Sequence, residues 1–302
     1  MTNRNIFLLL HLFILMACQD DPKKELEIIS PINSGAVDKS EISSNQNLNV
    51  SFLLDLSDRI DPVKYPNEAM DYYERDAAYI NSVAQAFRSH INTKRIRQID
   101  DRIQLFFEPE PSNSDINLIS EELKFNFSKQ NTSKELLQSF DQTYQIQPKN
   151  IYELAIKDNN YVGSDTWRFF KTKVNDYCIE EGYRNILIIL TDGYIFHKDT
   201  KIKQDNKTSY LTPEYIRSLK LNTNNWKKTY KANDFGYIPL EKDLSNLEVL
   251  VLGLNPDTKN DFEEEVIRQY WSDWLESMNV KCYKIMKADL PSNIDKIIKE
   301  FI

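Results

Sequence analysis

The chain is short of glycine, cysteine, histidine and positive charge, and each shortage removes a class of function. Six glycines stand among 302 residues, where average usage would place roughly 21. They are scattered from Gly35 to Gly253, so the sequence contains no G-x-G-x-x-G, no G-x-x-x-x-G-K and no G-x-S-x-G. Dinucleotide sites, phosphate loops and strained nucleophile elbows depend on such clusters to bring backbone close to a ligand. Three cysteines (Cys18, Cys178, Cys282) form no C-x-x-C pair, and three histidines (His11, His90, His197) complete a set too small for a zinc site. Acidic side chains number 46 against 38 basic ones, for a net charge of -8. That balance lacks the basic face that binding of nucleic acid requires.

The N-terminal apolar run is also short. Ile6 to Ala17 follows Arg4 and stops well before the about 20 residues of a spanning helix, which fits the h-region of a secretory signal. It ends Leu15-Met16-Ala17-Cys18. A small residue followed by Cys resembles the lipobox of bacterial lipoproteins, and the resemblance implies cleavage before Cys18 and acylation of its thiol. The alternative is an ordinary secretory signal with an incidental cysteine. Gln19-Asp20-Asp21 resembles the acidic surface-export signal of Bacteroidota lipoproteins. The location so implied is the cell envelope, lipid-anchored at the outer membrane and exposed at the surface. Residues 18–46 are polar, carry Pro22 and Pro31, and show no sustained period, which reads as a flexible tether.

From residue 47 onward strands and helices alternate. Leu48–Leu56, Arg102–Phe107, Asn185–Leu190, Leu247–Leu254 and Val280–Met286 are apolar runs suited to strands buried on both faces, and Leu123–Phe127 alternates like an edge strand. Helical spacing predicts helices over Asn67–Ile91, Ser133–Tyr144, Asn150–Lys157, Thr166–Glu181 (closed by Gly182), Phe262–Met278 and Ile294–Ile302. This order predicts a doubly wound α/β domain over 47–302, its mostly parallel sheet covered by helices on both faces. One connection is long. An insertion at about 194–243 separates two core strands, and long loops are often functional.

Two aspartates end two of the most apolar strands: Asp55 in Asp55-Leu56-Ser57-Asp58-Arg59, and Asp192 in Thr191-Asp192-Gly193. In an open parallel sheet the ligand crevice lies beyond the strand C-termini where strand order reverses. If these strands flank that point, both carboxylates face one crevice, and the Gly163-Ser164-Asp165-Thr166 loop reaches the same rim. Carboxylates and hydroxyls without imidazole or thiolate make a hard-oxygen site, suited to Mg²⁺, with Mn²⁺ or Ca²⁺ as alternatives. Gly163, Gly193 and Gly253 would all lie near this rim.

At these residues the chain resembles the von Willebrand factor type A family, over roughly residues 47 to 302. That family's metal-ion-dependent adhesion site combines D-x-S-x-S after the first strand, a Thr in a later loop, and an Asp after the fourth strand. The resemblance implies Asp55, Ser57, Thr166 and Asp192 as metal ligands and a protein partner whose carboxylate completes the ion's shell. The sequence departs from the pattern at Arg59, where the second Ser belongs. A guanidinium offers no acceptor and carries a fixed charge, so it cannot ligate a cation. Three outcomes follow: Arg59 turns to solvent, Asp58 or Asp165 supplies the missing oxygen, or Arg59 itself neutralises Asp55 and Asp192.

Simpler roles stand beside these. Ser57, Asp58, Asp165 and Thr166 are all suited to helix N-caps, and Thr191-Asp192-Gly193 to a plain turn. Trp271 and Trp274 fit a core, Cys178 and Cys282 fit buried thiols, and His197 a structural position. The functional expectation is a lipid-anchored, non-enzymatic module that binds a protein, with the insertion shaping its surface. The alternatives are a metal-dependent phosphohydrolase acting through Asp55, and a metal-free structural subunit of an envelope complex.

Overall fold

The computed structural model describes residues 46–302; the signal segment, Cys18 and nearly all of the tether lie outside them. Six strands form one sheet: β1 (Asn47–Leu54), β2 (Asp100–Phe107), β3 (Phe125–Ser128), β4 (Tyr183–Leu190), β8 (Leu247–Leu254) and β9 (Cys282–Lys287). Their order is β3-β2-β1-β4-β8-β9, parallel except for β3, which pairs antiparallel at one edge. The chain leaves β1 toward β2 on one side and returns to β4 on the other. Strand order therefore reverses between β1 and β4, the pair that carries Asp55 and Asp192.

The central strands β1, β4 and β8 bury both faces. Along β4, Ile186, Ile188 and Leu190 enter one core while Leu187 and Ile189 enter the other. Against the first face pack α1 (Tyr72–Thr93), α2 (Ser114–Glu122), α3 (Lys134–Asp158) and α9 (Pro291–Phe301), through Tyr79, Ile80, Val83, Phe87 and Ile298 among others. Against the second lie α4 (Thr166–Thr172), α5 (Val174–Cys178) and α8 (Glu263–Ser277), bringing Phe169, Phe170, Trp271 and Trp274. The result is a three-layer αβα arrangement. Among the described residues no helix is long and apolar enough to cross a membrane.

The insertion is more than a rim loop. It holds β5 (Lys203–Gln204), β6 (Lys207–Thr208), α6 (Pro213–Ser218), α7 (Trp226–Ala232) and β7 (Gly236–Tyr237), its strands forming a small separate sheet. Leu211, Ile216, Trp226, Tyr230 and Tyr237 pack into the second core beside Tyr270 and Trp271 of α8. Its first residues border the strand C-termini, where Phe196 bridges to Ser164, and Arg217 of α6 reaches the same end, 2.7 Å from Asp257 just past β8.

Several boundaries differ from the sequence pattern, for physical reasons. The two helices expected at Ser133–Tyr144 and Asn150–Lys157 are one helix, α3, with Pro148 inside it. Tyr144, Pro148, Ile151, Tyr152 and Ala155 form one buried stripe, and their packing outweighs the lost N–H donor. The single helix expected over Thr166–Glu181 breaks at Lys173, whose ammonium ion-pairs buried Glu108 at 3.0 Å, and Tyr177 faces outward. Gly182 is not a helix cap: α5 ends at Cys178, and Gly182 takes φ +82° in the turn that enters β4. The helix expected from Asn67 begins at Tyr72, because Asn67 Oδ1 accepts the Ala69 and Met70 amides in a loop instead. Trp271 and Trp274 are core residues, and Cys178 and Cys282 are free thiols, the first buried and the second partly so.

Candidate functional site

The reversal of strand order brings the ends of β1 and β4 together at one rim. The Asp55 amide donates to Leu190 O at 3.0 Å, which continues the β1–β4 pairing past the last strand residue. Asp55 is buried. Its Oδ1 accepts the Ser57 amide at 2.8 Å and its Oδ2 accepts the Thr191 hydroxyl at 3.0 Å. The short turn that follows places Arg59 back under the rim.

Arg59 is 5% exposed, so its charge sits inside the protein. Nη2 donates to Asp76 Oδ2 at 2.5 Å and to Leu190 O at 3.0 Å, and Nε lies 3.5 Å from Asp55 Oδ2. Asp76 belongs to α1 and is itself buried; Tyr152 of α3 donates to the same Oδ2 at 3.1 Å. Burial opposes the guanidinium's charge, but Asp76 and Asp55 outweigh it and hold its pKa above the ordinary range. Burial raises the Asp76 carboxyl, with Arg59 opposing. Asp192 is half-buried and accepts the Tyr194 amide at 3.0 Å. Desolvation and the nearby Asp55 charge push it up to about 7, with Arg59 pulling the other way.

The side chains of the remaining candidates make no hydrogen bond or ion pair to this cluster. Asp58 faces outward, 3.3 Å from Lys64 Nζ. Ser57 precedes a 3-10 turn and makes no side-chain cap bond. Asp165 caps α4: Oδ1 accepts the Arg168 amide at 3.0 Å, Oδ2 accepts the Thr200 hydroxyl, and His197 Nδ1 lies 3.8 Å away. Thr166 is buried in the first turn of α4 with its hydroxyl 3.4 Å from Ser164 Oγ. The Gly163 loop is held tightly at this rim. A Cβ on Gly163 would lie 2.2 Å from Phe196 O, and its φ of +89° suits glycine.

Of the three outcomes open for Arg59, its burial rules out the turn to solvent, while Asp58 pairs with Lys64 and both oxygens of Asp165 are taken by Arg168 and Thr200. The donor set does not fit a divalent cation, which takes six or more oxygens at roughly 2.0–2.6 Å. Both oxygens of Asp55 already accept hydrogen bonds, and a guanidinium stands within 3.5 Å. Among the described residues no three His, Cys, Asp or Glu side chains converge as a metal-holding group.

Asp76 and Tyr152 escaped the sequence reading. A signal for Asp76 existed: it occupies the apolar stripe of α1, one turn before Ile80, and a carboxylate on a buried stripe needs a partner.

Around the cluster the rim loops touch one another. Tyr161 Oη donates to Asp61 Oδ2 at 3.3 Å, and Lys64 Nζ lies over the Tyr161 ring at 4.7 Å. These loops carry exposed Val63, Tyr65, Val162, Phe196 and Ile202.

No family model matches the chain, and no curated protein matches it. Among solved structures it is similar to an aerotolerance-related membrane protein from Bacteroides fragilis, at 11% identity over 84% of this chain and 98% of that one, with a TM-score of 0.36. It is similar to the conserved hypothetical protein BatB from Bacteroides thetaiotaomicron, at 11% identity over 84% and 97%, with a TM-score of 0.37. It is also similar to the pilus adhesin SpaC from Lactobacillus rhamnosus GG, at 10% identity over 84% of this chain and 30% of that one, with a TM-score of 0.41.

Proposed function

We propose that this chain is a von Willebrand factor type A-like binding module, anchored in the cell envelope through Cys18, that engages a protein partner at the rim formed by the ends of β1 and β4. One observation carries the reading: strand order reverses between these two strands, where ligand crevices of open sheets form. Beside that point the loops expose large apolar side chains, Val63 at 88% and Phe196 at 40%, and exposed apolar groups ringed by polar ones mark interaction surfaces. Asp55 supports binding over hydrolysis, since the oxygens a nucleophile would use hold Ser57, Thr191 and Arg59.

The test is site-specific photocrosslinking on intact cells, with the crosslinking residue placed at Val63, Phe196 or Ile96. Ile96 is an exposed apolar residue just before β2, at the opposite end of the sheet. Discrete adducts from Val63 and Phe196 but not Ile96 are expected; adducts from Ile96 alone would move the interface off the rim and sink the reading. The anchor is tested separately. Cys18→Ser should shift the protein from the membrane fraction to the soluble one, and an unchanged distribution would reject acylation.

A further inference from the structure

We propose that Arg59 is the resident cation of this crevice, a tethered positive charge that replaces a bound divalent ion in neutralising its carboxylates. Three separate parts of the fold hold the guanidinium where it is: Asp76 from α1, the Leu190 carbonyl at the end of β4, and Asp55 at the end of β1. A fourth element, α3, fixes Asp76 through Tyr152. A side chain that merely folded over an ion site would not need a dedicated carboxylate on a buried helix stripe. Asp76 has no other charged partner among the described residues, so its presence there is explained by Arg59 and by nothing else on α1.

The chemistry follows from the exchange of one cation for another. A metal ion leaves an open coordination position that an incoming carboxylate can fill, and its occupancy depends on ion concentration. The guanidinium is covalently attached, always charged, and has no coordination sphere to complete. Recognition at this rim is then independent of divalent ions, and it falls to the loop side chains around the crevice. The assignment concerns the same crevice as the proposed binding rim, but its test needs no partner. Failure of either reading is visible without the other.

Melting of the full chain is measured in EDTA and in excess Mg²⁺, Mn²⁺ or Ca²⁺. The wild type should melt at the same temperature throughout, because a ligand that binds only the folded state must raise it. A rise that Asp192→Asn abolishes would overturn the assignment; a rise that Asp192→Asn leaves intact puts the ion elsewhere and upholds it. Arg59→Ser removes the guanidinium and supplies a hydroxyl. This variant should melt lower in EDTA and regain about 5 °C or more in Mg²⁺ or Mn²⁺. A folded Arg59→Ser protein indifferent to every ion would show that the arginine does not stand in for one. Where Arg59→Ser does not fold, Mn²⁺ paramagnetic resonance on the wild type decides. An undiminished aqueous signal supports the resident arginine, and a signal lost on mixing but kept with Asp192→Asn refutes it.

Discussion

The two ends of the sheet both bury charge, and they do it in opposite ways. At the N-terminal ends of the strands every buried carboxylate is amply matched. Asp101 takes Lys94 Nζ on both oxygens at 2.8 Å, the Leu48 amide at 2.8 Å, and His90 at 3.3 Å. Glu248 takes a bidentate Arg184 and Lys281, and Arg184 also ties down the last two carbonyls of the chain. Burial opposes ionisation at both, yet these partners hold both carboxyls below the ordinary range. At the C-terminal ends of β1 and β4 the balance reverses. One guanidinium serves Asp55, Asp76 and Asp192, and burial drives the latter two carboxyls upward. Satisfied charge at one end serves stability. Under-compensated charge at the other is a pattern that accompanies functional sites.

The largest effect should come from breaking the satisfied end. Lys94→Met leaves Asp101 buried without its cation and is expected to cost about 3–5 kcal/mol, read as a lower urea midpoint. A loss below about 1 kcal/mol would mean that His90 and the amides suffice there. The same pair predicts acid behaviour. A carboxyl lowered in the folded state contributes stability that is complete above its unfolded value and is lost as pH falls through its folded one. Stability should therefore fall from about pH 5 downward, more gently in Lys94→Met than in the wild type. Equal slopes would remove Asp101 from the account.

Backbone packing offers a second contrast between the ends. Gly163, at the rim, and Gly182, before β4, both take positive φ, but only Gly163 has a carbonyl where a Cβ would sit. Gly163→Ala should cost about 2–3 kcal/mol and Gly182→Ala about 1 kcal/mol. Equal melting temperatures for the two variants would contradict the tight seating of the Gly163 loop on Phe196. The smallest effect belongs to Asp192→Asn, which removes a charge facing Asp55. Burial and Asp55 make the folded state disfavour that charge, so stability at pH 7 should rise by about 0.5–1 kcal/mol, and a loss by calorimetry would show that Asp192 carries an attractive contact.

Much of the architecture was legible along the chain. Leu247–Leu254 forms a strand with the expected limits, and the T-D-G and D-x-S positions do flank the reversal point. Helix continuity was less legible. Ser133–Tyr144 and Asn150–Lys157 read as two helices, and only the buried face of α3 makes the Pro148 between them tolerable. The candidate site was half readable. Asp55, Arg59 and Asp192 stand in short local motifs, whereas Asp76 and Tyr152 meet them only through long-range packing of two helices.

Local pattern by itself determined which segments become strands and helices, because apolar periodicity is a property of neighbours in the chain. Set against the type A family that the chain resembles, the sequence also marked Arg59 as the departure, because a guanidinium cannot ligate a cation. What Arg59 does was decided by tertiary structure alone. Its side chain could turn to solvent or inward, and the free energy of burying a charge depends on whether opposite charge awaits it. That charge comes from Asp76, on a helix whose position follows from the whole sheet.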